Sequence, residues 1–158
     1  MTSQIPQGSI IMKPEEKFNY CDSFSTIITD DNYSIDYLTG LCFNITPKWV
    51  NPLVKLRAIL VKPFGLTTEM PKDTGKIDRD IKYDIGKKAL FFTVFDRNDN
   101  EIVASENDKH LYFRTSALKT KVDDNKIEVH LTTIVKYHNI GGRINFFFVK
   151  PFHRLIVK

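Results

Sequence analysis

Apolar and polar residues alternate through the second half of the chain, which is the period expected of strands in a half-buried sheet. The alternation predicts four strands separated by short turns rich in Asp and Asn, at residues 90–95, 101–105, 111–118 and 127–137. In the last strand the odd-numbered residues from Ile127 to Tyr137 form a mainly apolar side, and Ile134 is an exception on the polar side. Consecutive strands joined by short turns favour an antiparallel meander with one face buried.

The N-terminal half begins with a polar segment that contains Pro6 and Pro14. This segment predicts a flexible arm, residues 1–16, ahead of a single domain, residues 17–158. Aromatic and β-branched residues then predict an edge strand over 18–29. The next element is a predicted short helix that Ser34 caps, with an apolar side made of Ile35, Leu38 and Cys42.

A second helix is predicted over residues 51–61. Asn51 is a good N-cap, and Pro52 fits the first helical position because its missing N–H costs nothing there. Leucines recur at helical spacing behind it. The stretch from 66 to 79 has few apolar residues and predicts a long loop, which could cover a site.

The chain ends in a predicted helix that Asn139 caps. Its apolar residues recur at steps of three and four, which predicts one buried face made of Ile144, Phe147, Phe148, Phe152, Leu155 and Ile156. Pro151 lies inside this pattern and predicts a kink, because proline removes a helical hydrogen bond. The basic residues nearby would allow the helix to lie on an anionic membrane. A sheet must bury its apolar face, however, which favours a helix packed on the sheet.

Composition and charge narrow the function classes. With 158 residues, 42% of them hydrophobic, the chain suits one domain with a sizeable core. Its net charge of +4 matches the four basic residues of 141–158, a segment without acids, so the sequence does not predict a broad basic face for nucleic acid. No apolar run reaches the ~20 residues of a membrane span, and the first 13 residues do not resemble a signal peptide. A cytoplasmic protein with reduced thiols at Cys21 and Cys42 is expected.

Several blocks of the sequence resemble the domain-of-unknown-function 2867 family. They run in the expected order from about Tyr20 to Val157, and they are Pro47-Lys48-Trp49-Val50, Leu56 to Leu66, Asp108 to Arg114, His138-Asn139 with Gly142-Arg143, and Pro151 to Val157. The order of predicted elements also resembles the START-like and birch-pollen-allergen-like (SRPBCC) superfamily.

This resemblance implies an α+β, helix-grip fold. In that fold a curved antiparallel β-sheet wraps around a long C-terminal α-helix, with two short helices between the first and second strands. It implies a hydrophobic ligand cavity between the sheet and the C-terminal helix, by analogy of fold alone. It implies no particular reaction and no cofactor.

One strand carries the side chains that could do chemistry. His110, Tyr112, Arg114 and Ser116 alternate and therefore share a face. If that face looks into the cavity, His110 could act as an acid or base and Arg114 could hold a carboxylate. Arg114 could instead be a structural tie to a neighbouring element. The four histidines show no HxxxH or HxH spacing, so no metal site is predicted.

Three hypotheses about function follow. The first is a module that binds an apolar or aromatic small molecule, with the ligand in contact with Tyr112, Phe147, Phe148, Phe152 and His153. The second is a cofactor-independent enzyme of cyclase, hydratase or isomerase type that uses His110 and Arg114 in the same cavity. The third is an interaction protein with a filled core and no ligand. An apolar cavity would favour the first and a cavity with converging polar groups the second.

Overall fold

The computed structural model describes residues 4–13, 15–44, 76–89, 92–107 and 109–156. Within these residues, six strands form one antiparallel sheet and two helices are present, which confirms an α+β, sheet-dominated fold. The elements in chain order are β1 (Tyr20–Thr29), α1 (Ile35–Asn44), β2 (Lys88–Ala89), β3 (Phe92–Arg97), β4 (Glu101–Asn107), β5 (Leu111–Lys121), β6 (Lys126–Tyr137) and α2 (Ile140–Ile156). The helix predicted over 51–61 lies outside the described residues, and so does the loop predicted over 66–79 except for its last four residues.

The strands lie in the order β1-β6-β5-β4-β3-β2. The predicted meander is therefore confirmed, and β1 is the predicted edge strand, paired with the last strand of the sheet. A register shift between Val94 and Asp96 marks a β-bulge in β3. Such a bulge bends its strand and increases the local twist.

The inner face of the sheet is the face on which α1 and α2 pack. Ser34 caps α1 as predicted, because its Oγ accepts a hydrogen bond from the Tyr37 N–H at 3.1 Å. Ile35 of α1 then packs in a buried cluster with strand residues that include Ile102, and Leu38 packs with Ile127 at the far end of β6. The apolar side predicted for the short helix is therefore the side that meets the sheet.

The outer face is covered by the N-terminal segment, which consists of residues 4–13 and 15–18. Ile11 is fully buried there against Val103 and Ile134. Ile134 was the one apolar residue on the predicted polar side of β6. The N-terminal segment covers this side chain, which explains why it is apolar. Glu101 is buried beside this cluster, and its carboxylate accepts hydrogen bonds from Ser9 Oγ at 2.6 Å and from the Ile10 N–H at 2.7 Å.

The first turn of α2 is held against the start of β5. Asn139 Oδ1 accepts a hydrogen bond from the Gly142 N–H at 3.0 Å, so the predicted cap is confirmed. His110 Nδ1 lies 3.3 Å from the same oxygen. A Cβ atom at position 142 would collide with the backbone carbonyl oxygen of His110. Glycine is therefore required at this position if the helix is to approach the strand so closely.

One residue of the predicted buried side of α2 is exposed, and its neighbour is buried instead. Phe146 is 5% exposed and packs with Leu111 and Val135, whereas Phe147 is 74% exposed. The assignment of Phe147 to the buried face was wrong. The cause is the docking of Gly142, since the residue one turn further along the same side of a helix is Phe146. The side chains of Phe148, Phe152, Leu155 and Ile156 lie outside the described residues.

The two cysteines are free thiols in separate clusters. Cys21 packs with Ile11 on the outer face, and Cys42 packs with Leu38 on the inner face. Burial raises the pKa of the Cys42 thiol to about 11, which keeps it protonated at neutral pH. We expect a thiol titration of the denatured, unreduced protein to count two free thiols. A count of zero would contradict the placement of the cysteines on opposite faces.

Candidate ligand-binding site beside the C-terminal helix

A row of polar side chains crosses the inner face of the sheet. Asp22, Thr133 and Thr115 are direct neighbours across β1, β6 and β5, and all three are buried. The hydroxyl of Tyr20 donates a hydrogen bond to Asp22 Oδ2 at 2.7 Å. Burial of polar groups costs free energy unless hydrogen bonds compensate it. The row therefore belongs to the buried interior of this face and is not open to solvent.

Aromatic rings flank this polar row at both sides of the sheet. Toward the β2 edge, Phe92 makes edge-to-face contacts with Phe43 and Phe113, with ring centroids 5.6 Å and 5.1 Å apart. Toward the β1 edge, Phe146 of α2 contacts two tyrosines. Its ring centroid is 4.7 Å from that of Tyr20 and 5.7 Å from that of Tyr137. Rings in this arrangement provide rigid apolar walls.

A groove of about 390 Å³ opens between α2 and the ends of β1 and β6. Its lining residues are Asn19, Tyr137, Arg143, Phe146, Phe147 and Lys150. A second hollow of about 480 Å³ adjoins it on α2, lined by Ile140, Arg143, Ile144 and Phe147. Both spaces are open to solvent, and the first exposes somewhat more polar than apolar surface. Burial raises the pKa of Tyr137, and the positive charge of Arg143 opposes this shift.

The sequence matches one family model, that of the protein of unknown function (DUF2867), over residues 15–158. The chain belongs to the DUF2867 family. No curated protein matches it. The family description states no reaction, so a function for this DUF2867 chain has to be argued from its residues.

Arg114 of this DUF2867 chain lies on the outer face of the sheet, not under α1 or α2. Its side chain is buried, and its two terminal nitrogens each lie 2.7 Å from an oxygen of Glu16. It also donates to the carbonyl of Ile11 at 2.9 Å and to the hydroxyl of Tyr112 at 2.6 Å. The ring of Phe95 stacks on the guanidinium, 4.3 Å away. The contacts are those of the structural tie that the sequence allowed, and a catalytic role for Arg114 stays a prediction.

The electrostatics of this cluster follow from the same contacts. Hydrogen bonds from Arg114 hold the pKa of Glu16 at about 2, well below its ordinary value of 4.5. The Glu16 carboxylate is therefore charged at neutral pH and joins the N-terminal segment to β5 by a bidentate ion pair.

The other predicted site residues are distributed over three places. His110 lies beside the cap of α2, and Tyr112 lies on the outer face with Arg114. Phe147 lines the groove. Phe148, Phe152 and His153 belong to α2, but their side chains lie outside the described residues. His110 and Arg114 thus contact different parts of the chain, and the enzyme hypothesis that uses both stays a prediction.

Five of the six residues that line the groove were not predicted as site residues from the sequence: Asn19, Tyr137, Arg143, Phe146 and Lys150. Tyr137 could have been found, because it lies on the mainly apolar side of the last predicted strand. The sequence carries no signal for Phe146, because its position depends on how α2 docks. Within the described residues, no three His, Cys, Asp or Glu side chains come together as metal ligands would. No helix in the described part of the chain has the length and apolar content to cross a membrane.

Proposed function

We propose that this DUF2867 chain is a helix-grip domain of the SRPBCC superfamily that binds an apolar or aromatic small molecule between the sheet and α2. The strand order supports the fold, because β1 pairs with the last strand and α2 follows that strand directly. The groove beside Phe146 carries the proposal. It is an open groove in which the rings of Tyr137, Phe146 and Phe147 lie beside the polar side chains of Asn19, Arg143 and Lys150.

The polar side chains that line the groove supply the orienting contacts in this proposal. Ligand sites are mostly apolar with a few placed polar groups. Asn19, Tyr137 and Arg143 are such groups in the lining of the groove. A hydroxyl or carbonyl on an otherwise apolar ligand would match these groups. The partner proposed is therefore a lipophilic small molecule, bound without a cofactor.

The positions of His110 and Arg114 favour the binding hypothesis over the enzyme hypothesis. The enzyme hypothesis requires His110 and Arg114 to face one cavity, and Arg114 is instead paired with Glu16 on the outer face. As part of the same proposal the protein acts in the cytoplasm, a compartment that keeps Cys21 and Cys42 reduced.

The proposal is tested by thermal unfolding in a screen of fatty acids, flavonoid-like aromatics and polyketide-like compounds. A ligand at a hundredfold excess over its Kd stabilises the native state by about 2.7 kcal/mol. For a domain of this size the Tm should rise by about 5–10 °C. If no lipophile raises the Tm, the binding proposal is wrong and the interaction-protein hypothesis gains.

The variant Phe147→Ala tests whether the ligand binds in the groove. Phe147 lines the groove but is mostly exposed, so we expect its loss to weaken binding and to leave the Tm without ligand nearly unchanged. The matched control is Ile27→Ala, which removes another exposed apolar side chain, on β1 away from the groove. Equal affinities in wild type and Phe147→Ala would place the ligand elsewhere.

A further inference from the structure

Among the described residues that line the groove, two are cations and none is an acid. Arg143 and Lys150 are both lining residues, and none of the described residues around them in the groove is Asp or Glu. They are seven residues apart on α2, which is two helical turns, or about 10 Å along the axis. Lys150 Nζ lies 5.0 Å from the centroid of the Tyr20 ring. This cation–π contact holds the ammonium over the aromatic end of the inner face.

Some cations of the described residues pair with carboxylates, and Arg143 and Lys150 belong to those that do not. Arg114 pairs with Glu16, Arg97 with Asp36 and Lys121 with Asp124. In the described part of the chain, neither Arg143 nor Lys150 has a carboxylate oxygen within 4.0 Å. Their positive charge is therefore available to an anion that enters the groove.

We infer that the ligand is an amphipathic acid, with an aromatic or aliphatic body and one anionic head such as a carboxylate. The body would lie on Phe146 and Phe147, and the head would bind between Arg143 and Lys150. A guanidinium binds a carboxylate through two parallel hydrogen bonds, and an ammonium adds a compact second charge. This inference rests on the proposed function and specifies the ligand class of the same site.

The test compares two fluorescent probes that differ by one charge. 1-Anilinonaphthalene-8-sulfonate carries an aromatic body and a sulfonate, and N-phenyl-1-naphthylamine is the same body without it. The double variant Arg143→Gln/Lys150→Gln should bind the sulfonate probe about ten-fold more weakly, which corresponds to about 1.4 kcal/mol. It should bind the neutral probe as wild type does. Added salt should weaken binding of the sulfonate probe alone, because salt screens charges at an open groove.

The matched control is Lys87→Gln/Lys136→Gln, which removes the same charge from two exposed lysines outside the groove. It should leave both affinities unchanged, and unfolding curves without probe should show that both double variants fold. If the neutral probe binds wild type but the Arg143/Lys150 variant keeps its affinity for the sulfonate probe, the inference is wrong and the proposed function stands. If neither probe binds wild type, both are wrong.

A membrane surface is the other source of anionic heads on apolar bodies. Co-sedimentation with phosphatidylglycerol vesicles that the Arg143/Lys150 variant abolishes, without binding of the free sulfonate probe, would assign these cations to lipid headgroups. That result would overturn the inference of a free acid in the groove.

Discussion

Phe146→Ala should lower the free energy of unfolding by about 3–5 kcal/mol, whereas Phe147→Ala should change it by less than about 0.5 kcal/mol. The two side chains are neighbours in sequence and identical in chemistry, but only Phe146 is buried. It contacts Tyr20 and Tyr137 and packs in the cluster that joins α2 to β5 and β6. Its removal leaves a cavity that the rigid strands cannot close, and that cavity adds to the lost apolar burial.

Urea unfolding of the wild type and the two variants measures these changes in the free energy of unfolding, and thermal unfolding measures the corresponding changes in Tm. For a domain of this size the Tm of Phe146→Ala should fall by about 6–20 °C. Phe147→Ala is the matched control, because it removes the same atoms from the exposed side of the helix. Similar losses in both variants, or a larger loss for Phe147, would contradict the observed docking of α2.

Arg114→Ala should destabilise the protein by about 3 kcal/mol. The substitution removes a buried guanidinium and leaves three acceptors without their donor: the Glu16 carboxylate, the Ile11 carbonyl and the Tyr112 hydroxyl. Breaking a buried ion pair from one side costs about 3–5 kcal/mol. The lower end of that range is expected, because the Glu16 side chain is 30% exposed and water can reach it. Arg114→Lys should recover only part of the loss, since an ammonium lacks the planar fork.

The matched control is Arg79→Ala. Arg79 also pairs with an acid, Asp31, but both side chains are about 60% exposed to solvent. Exposed pairs contribute about 0–1 kcal/mol, so this variant should melt close to wild type. A small effect of Arg114→Ala, no larger than that of Arg79→Ala, would show that the N-terminal segment does not depend on the buried pair.

The dependence on pH gives a second measurement of the same contact. The pKa of Glu16 is about 2 in the folded protein and 4.5 ordinarily. A carboxyl group with a lowered folded pKa contributes stability that is present above the ordinary pKa and lost as the pH falls through the folded pKa. The stability difference between wild type and Glu16→Gln should therefore be full at neutral pH and shrink between pH 4.5 and 2. A difference that stays constant over this window would contradict the assigned contact.

Local patterns were enough to predict most of the described elements. The period-two stretches correspond to β3 to β6, and the edge strand expected over 18–29 is β1. Ser34 and Asn139 mark the starts of both described helices, because a capping side chain binds N–H groups only two or three residues away. Interactions of such short range are fixed by residues adjacent in sequence, so the sequence alone is enough to locate them.

The candidate site was predicted only in outline. A site next to the C-terminal helix was expected, and Phe147 lines the groove found there. The alternation in β5 shows which residues share a side of the strand, but it does not show which side faces the C-terminal helix. The expectation that Arg114 faces the same cavity depended on that unknown orientation. The N-terminal segment decides the choice, since it lies on the side that carries Arg114. Glu16 and Ile11 are about a hundred residues away in sequence from Arg114, and no local pattern connects them.

The sequence by itself thus determined the sheet-dominated class, the strand positions and the helix starts, because these depend on the period of apolar residues and on contacts within one turn. The tertiary structure alone decided which face each segment covers and which phenylalanine of α2 is buried. Both depend on close approaches between residues distant in the chain, such as Gly142 against the carbonyl of His110. That approach and the packing of Phe146 against Tyr20 and Tyr137 orient the first turns of α2, so that Phe146 is buried and Phe147 is not.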